Sequence, residues 1–397
     1  MGQEANILVM QSGGPTPVFN RSLYGVITET HGIRSSKQIY GSPNGINGLL
    51  SSKLINLSHI SKPQLARIAR TPGAALGSSR RQLSEEDLPN ILNVLSKYAI
   101  KYLFIIGGND SADTGRLIGI ETMKAGRPLS VINVPKTIDN DLVNTHHSPG
   151  YGSAARFIAL ATMGAGQDAK SMGSESPIIV IEVMGRDAGW LAASSSLGRR
   201  DEKDAPHVIC IPEAPVHEEG FLSNIENAYQ RFGFAVAVVA ENTRGINGVL
   251  GGEQEPWYID DFGHPYYEGA GHYLANLIST RLKIRTRYEK PGTIQRSMTA
   301  CISRTDVNEA EMVGRAAVRS ARQGAFSQMV TLVKKPQENY ACSTSLTPLD
   351  QVAGKTLNMP TEYFDKNASY VTKSFLDYAR PLIGTPLPRF GNLHSIL

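Results

Sequence analysis

The sequence predicts an α/β protein with a doubly wound, largely parallel sheet. Three observations carry this expectation. Short, β-branched apolar runs alternate along the chain with longer amphipathic stretches. The runs are near-continuously apolar, as strands buried on both faces are. Three of them end in glycine-rich or acidic loops, at the strand ends where open α/β sheets hold ligands.

The elements follow in order. Residues 6–11 read as a first strand and 20–29 as its helix. Strands at 102–106 and 130–134 alternate with helices at 112–125 and 154–162. Strands at 178–183, 207–211 and 234–240 alternate with helices at 187–197 and 223–231, and a last helix falls at 309–323. Residues 245–273, carrying Gly251, Gly252, Gly263, Gly269 and Gly271, read as a long loop of the kind that serves function. The polar, proline-dotted tail after Lys334 reads as surface wrapping.

Composition sets the limits. At 397 residues the chain suits about two domains, and 41% hydrophobic with 19% charged residues excludes wholesale disorder. Forty Lys and Arg against 36 Asp and Glu give a net charge of +4, too small to argue for nucleic acid. A local basic patch still suits an anionic small molecule. No apolar run approaches the roughly 20 residues of a membrane span. Glu4 stands where a signal peptide would be basic, so a cytoplasmic location is expected. Cys210, Cys301 and Cys342 are odd in number and far apart, which favours free thiols in a reducing compartment and no cysteine-based metal site. The nine histidines lack ligand spacing. His146 and His147 are adjacent, would point to opposite faces of a strand, and read as part of a solvated loop.

The three strand-end loops carry the chemistry. They are Ser12-Gly13-Gly14-Pro15, Gly107-Gly108-Asn109-Asp110-Ser111 and Pro135-Lys136-Thr137-Ile138-Asp139-Asn140-Asp141. Paired glycines between strand and helix let backbone N–H groups approach an oxyanion, with the helix dipole adding to the attraction. One such pair is equally well a tight turn; two after two strands favour phosphate. Neither fits the dinucleotide fingerprint GxGxxG. In an extended segment Asp139 and Asp141 face the same way, which suits proton abstraction by one and metal or amide contact by the other. An Asx-rich turn is the alternative, and Lys136 on the same loop tips the balance toward an anionic substrate. Arg80, Arg186, Arg287 and Arg296 lie beside glycine-rich turns or strand ends, and guanidinium forks match phosphate bidentately.

These residues resemble the phosphofructokinase family. The matching pieces are Ser12-Gly13-Gly14, Leu76-Gly77-Ser78-Ser79-Arg80, Gly107 to Ser111, Pro135 to Asp141, Glu182-Val183-Met184-Gly185-Arg186, Ala240-Glu241 and Ile294-Gln295-Arg296. They come in the family's order over about three-quarters of the chain. The resemblance implies two doubly wound α/β lobes with the active site between them. Residues 1–150 plus about 295–345 would form the phosphoryl-donor lobe, 151–294 the sugar-phosphate lobe and 346–397 a C-terminal wrap. A homodimer or homotetramer is expected.

The family uses ATP or pyrophosphate. ATP-using members typically have glycine where this chain has Asp110 and Lys136, and the pyrophosphate-using members resemble it at both places. The implied reaction moves a phosphoryl group from pyrophosphate to the 1-hydroxyl of fructose 6-phosphate, with Mg²⁺. Asp139 would be the general base, supported by Thr137 and Asp141, and Arg186 would stabilise the moving phosphoryl group, with Arg80. Gly14, Arg80, Asp110 and Lys136 would define the diphosphate site. Thr137, Ile138, Asp139, Met184, Gly185, Arg186, Glu241, Arg287 and Arg296 would line the sugar-phosphate site. Asn109 stands where the family usually holds Mg²⁺ through aspartate. Thr293 and Pro177 replace a histidine and an arginine of bacterial ATP-using members, so the 6-phosphate contacts follow the family less closely. The alternatives are an ATP-dependent enzyme and, motivated by Asn109 alone, a non-catalytic sugar-phosphate-binding subunit.

Overall fold

The computed structural model describes residues 5–32, 36–246, 248–250, 258–259, 265–266, 269–337 and 339–391. The strands of its two main sheets are β1 (Ala5–Gln11), β2 (Ser36–Ser42), β3 (Ile55–Asn56), β4 (Ile100–Gly107), β5 (Ser130–Pro135), β6 (Ile178–Val183), β7 (Val208–Cys210), β8 (Ala235–Ala240), β9 (Thr286–Glu289), β10 (Gln328–Lys334) and β11 (Cys342–Pro348). The larger sheet has seven strands in the order β11-β10-β5-β4-β1-β2-β3, and the smaller has four in the order β9-β6-β8-β7. The smaller sheet is parallel throughout. The larger is parallel except at its two edges, where β11 opposes β10 and β3 opposes β2. The chain therefore leaves the larger sheet after β5, builds the smaller one, and returns.

Strand periodicity explains why both faces are covered. In β1, Ile7 and Val9 point to one face and pack with Phe19, Phe104 and Val313. Leu8 and Met10 point to the other and pack with Leu103, Ile105 and Ile118. The helices that bury these faces include α1 (Phe19–His31) and α2 (Asn109–Lys124). On the smaller sheet, Ile179, Ile181 and Val183 pack against α3 (Tyr151–Met172), while Ile178 and Val180 face α4 (Glu218–Phe232) and α5 (Ala270–Arg281). α6 (Arg304–Arg322) returns to cross α1 at very short range: a Cβ on Gly25 would stand 2.4 Å from the Glu311 carbonyl oxygen. Glycine is what allows the two backbones to meet there.

The structure departs from the sequence reading in several places. The helix expected at 187–197 is only Trp190–Ser194, followed by a 3-10 turn at Ser195–Gly198. Ser194, Ser195 and Ser196 each turn a hydroxyl back onto the carbonyl three residues earlier, which competes with regular helix bonding. Within 245–273, the described residues form two short antiparallel pairs, and α5 has begun by Ala270. Gly251, Gly252 and Gly263 lie outside the described residues. The tail is more than a surface wrap. It supplies edge strand β11, and Phe375 on α7 (Lys373–Ala379) and Leu382 are wholly buried in the core of the smaller-sheet half. Among the described residues, no helix is long and apolar enough to cross a membrane.

Candidate active site

β1, β4 and β5 are parallel neighbours, so their C-terminal ends, and the loops after them, lie side by side. The ends of β6 and β8 also converge on this space. Between them lies a cleft of about 350 Å³, lined by Gly14, Arg80, Asn109, Asp110, Lys136, Thr137, Ile138, Asp139, Asp141, Met184, Arg186, Glu241 and Arg296. That volume suits a small anionic ligand.

The first loop brings cations close to backbone. Gly13 has φ +78° and donates its N–H to the Ser79 carbonyl at 3.0 Å. Lys136 Nζ donates to the Gly14 carbonyl at 2.8 Å and lies 5.0 Å over the Phe19 ring. A Cβ on Gly14 would stand 2.7 Å from Arg296 Nη1 and 3.7 Å from Arg80 Nη2. The bare glycine thus leaves room for three cationic groups around one loop.

The third loop holds the acids. Asn140 between them has φ +58°, so the segment is not the extended one that the sequence reading assumed. Its side chain is held at both ends: Nδ2 donates to Tyr378 Oη at 2.8 Å and Oδ1 accepts from the Ser148 N–H at 3.0 Å. Asp139 donates its N–H to the Thr137 hydroxyl at 3.1 Å. Burial, with Asp141 and Glu241 beside it, pushes the Asp139 carboxyl up to about 7, against the pull of Arg186 and Lys136. Burial also raises Asp141, opposed by Arg186 and the Thr137 hydroxyl. Lys136 moves the other way. Burial brings its ammonium down to about 7, Arg186 and Arg296 add to that, and the two aspartates resist it. A carboxyl and an amine both near neutrality, in one cleft, can exchange and hold protons at working pH.

Arg186 faces this loop from the other sheet. Its φ is +51°, its N–H donates to Glu241 Oε1 at 3.0 Å, and its Nη1 lies 3.9 Å from Asp110 Oδ2. Burial raises the Glu241 carboxyl, with that backbone N–H opposing. The Met184 N–H donates to Gln295 Oε1 at 3.2 Å.

Three expected residues stand differently. Gly185 and Arg287 are not among the residues lining the cleft: Gly185 turns the chain between Met184 and Arg186 with φ +143°, and Arg287 forms an ion pair with Asp168, because β9 is the edge strand of the smaller sheet. Asn109 does line it, but its side chain is turned to backbone. Oδ1 accepts from the Asp110 N–H at 2.9 Å and Nδ2 donates to the Lys355 carbonyl at 3.3 Å. The cleft still offers hard oxygen donors, the Asp110, Asp139 and Asp141 carboxylates, which suit a Mg²⁺ held jointly with substrate phosphates.

Sequence reasoning missed the far end of the cleft. Glu182 is buried, accepts from the Gly271 N–H at 2.9 Å and pairs with Lys290 at 2.6 Å. Asp187, Asn242 and Arg244 line the same end. Glu182 stood within the run ending at Arg186, a signal that was available; Lys290 sits in no motif.

Fold and cleft together define a class: an α/β enzyme that handles phosphates between two sheets. The phosphofructokinase family model matches residues 6–321, and the chain belongs to that family. It is 36% identical over 391 residues to the pyrophosphate–fructose 6-phosphate 1-phosphotransferase of Rhodospirillum rubrum, covering 97% of this chain and 96% of that one. The enzyme of the same name from Halomonas elongata is 35% identical over 396 residues, covering 98% and 94%. The crystal structure of a pyrophosphate-dependent phosphofructokinase from Nitrosospira multiformis superposes with a TM-score of 0.89 at 32% identity, covering 98% of this chain and 94% of that one.

Proposed function

We propose that the protein transfers a phosphoryl group reversibly between pyrophosphate and the 1-hydroxyl of fructose 6-phosphate, in the cytoplasm and as a homodimer or homotetramer. The observation that carries this is Lys136, buried between the Gly14 carbonyl and the acidic loop, in the cleft that Asp110 also lines. In this reading the loops of the larger sheet take the diphosphate, and Met184, Glu241 and Arg296 take the sugar phosphate. Asp139 accepts the proton of the attacking hydroxyl. Arg186, between Asp110 and the acidic loop, meets charge on the phosphoryl group in flight. Mg²⁺, when bound, would neutralise phosphate charge, and the Asp110 and Asp141 carboxylates are the groups that would hold it, in place of the Asn109 side chain that the sequence suggested. Exposed Ile294 and Met298, beside the Gln295–Arg296 end of the cleft, are apolar surface of the kind an interface covers.

The donor is tested by turnover of fructose 6-phosphate with pyrophosphate, ATP or neither, with and without Mg²⁺, in four proteins: the wild type, Asp110→Gly, Lys136→Gly and the double variant. Pyrophosphate with Mg²⁺ supports turnover in the wild type. Lys136→Gly lowers activity with both donors, and the double change shifts the kcat/KM ratio toward ATP by roughly one to three decades, at about 1.4 kcal/mol per decade. A wild type that turns over only with ATP overturns the reading, and a donor ratio within about threefold in the double variant removes these two residues from donor choice.

A further inference from the structure

Behind the acidic loop lies a second cluster of metal-binding side chains that the proposed reaction does not use. His147 is buried where the sequence suggested a solvated loop, and its Nε2 lies 2.7 Å from Glu309 Oε2. His146 Nδ1 and His147 Nδ1 face each other at 2.9 Å. Cys342, brought in by β11, completes the group: one ligand atom from each of the three residues lies within 4.8 Å of the others. Tyr340 braces the far side, with its hydroxyl 2.8 Å from Glu309 Oε1 and 3.2 Å from Cys342 Sγ.

The geometry has a specific chemical content. Glu309 takes the Nε2–H of His147, which leaves the Nδ1 lone pair of that ring pointing at His146. Two ring nitrogens at this separation need a proton or a cation between them. A carboxylate behind a histidine is the arrangement that fixes tautomer and orientation in metal sites. Zinc with nitrogens at about 2.0–2.1 Å holds them roughly 3.3 Å apart in a tetrahedral site, so opening the pair by a few tenths of an ångström suffices. Two imidazoles and one thiolate select the borderline-soft transition metals over Mg²⁺.

We propose that His146, His147 and Cys342 form a zinc-class metal site, separate from any Mg²⁺ in the cleft, with Glu309 as the orienting carboxylate. Three protein ligands leave a fourth position open, and His146 is the half-buried member of the three. The site is tied to the acidic loop through Tyr378, whose hydroxyl donates to the His146 carbonyl at 2.9 Å and accepts from Asn140. Occupancy therefore fixes the segment that holds Asn140 between the two aspartates.

The test is titration of chelator-treated protein with Co²⁺ as the probe. One equivalent gives intense tetrahedral ligand-field bands and a thiolate-to-cobalt charge-transfer band, and Zn²⁺ bleaches both. Cys342→Ser loses the charge-transfer band, while Cys301→Ser keeps it. Glu309→Gln weakens binding by about 10–100-fold. The wild-type spectrum needs no variant to fold: octahedral bands with no thiolate band overturn the proposal, leaving the two rings joined by a proton. A thiolate band that survives in Cys342→Ser also overturns it.

Discussion

At the residue scale the balance turns on Asp139. As general base it must lose its proton, and burial opposes that. Asp139→Asn keeps the shape but cannot accept a proton, so kcat falls by about 10²–10⁴-fold. Steady-state kinetics showing less than a tenfold loss would remove the role. The same burial has a stability consequence. The folded carboxyl titrates at about 7, against 3.8 for the ordinary group. Between those values the native state keeps a proton that the unfolded chain has lost, so stability falls as pH rises through the window. Above it the full cost of the buried charge is felt. Asp139→Asn therefore melts higher than wild type at alkaline pH, by about 2 °C or more, and close to wild type at about pH 3, where both states of the wild type are largely protonated. Thermal melts at the two pH values check this; an equal shift at both contradicts it. Lys136, brought down to about 7, adds the opposite limb to activity. The kcat/KM profile of the free enzyme is then a bell centred near neutrality, falling in acid as Asp139 gains its proton and in alkali as Lys136 loses one. A profile flat on both sides separates these groups from the rate.

At the scale of elements, what was legible in the sequence follows from packing. β1, β4, β5, β6 and β8 are buried on both faces and announce themselves as apolar runs. β2, Ser-Lys-Gln-Ile-Tyr-Gly-Ser, and edge strand β11, Cys-Ser-Thr-Ser-Leu-Thr-Pro, carry polar residues and leave no such trace. The three strand-end loops were readable because chemistry demands their residue types. The left-handed turn at Asn140 was not, since its anchors, Tyr378 and Ser148, are set by tertiary structure. The same holds for His147: adjacency argued against a shared ligand, but the chain bends there and brings one ring nitrogen of each to 2.9 Å, with the rings perpendicular. Gly14 tests how tightly the first element is built. Its Cβ position lies 2.7 Å from Arg296 Nη1, so Gly14→Ala displaces a guanidinium, not a backbone. The chain stays folded while KM for fructose 6-phosphate rises by about tenfold or more, as one charge-assisted contact to the sugar phosphate is lost. An unchanged KM, measured with pyrophosphate saturating, contradicts the close approach.

At the scale of the whole molecule, the C-terminal segment joins the two halves, and this was the part least visible in the sequence. Leu349 and Val352 pack on the larger sheet, while Phe375, Ala379 and Leu382 fill the core beside α3 in the smaller half. Tyr378, on the same short helix as Phe375, is the link to the acidic loop. One helix thus performs two tasks that substitution can separate. Phe375 is wholly buried among apolar side chains, so Phe375→Ala costs about 3–5 kcal/mol of stability through the lost transfer energy and the cavity left behind. Its kcat per folded molecule stays near wild type, because Phe375 does not line the cleft and meets Tyr378 only ring to ring, leaving the hydroxyl bonds of Tyr378 in place. Tyr378→Phe keeps the ring and removes only the hydroxyl, leaving Asn140 Nδ2 and the His146 carbonyl without that partner. The stability cost is smaller, about 1–3 kcal/mol, and kcat falls because Asn140 no longer holds Asp139 and Asp141 in place. Urea unfolding and kcat measured on both variants read the two effects independently. If Phe375→Ala lowers kcat per folded molecule as much as Tyr378→Phe does, the helix acts on catalysis through packing alone, and the Tyr378–Asn140 bond is not what positions the acids.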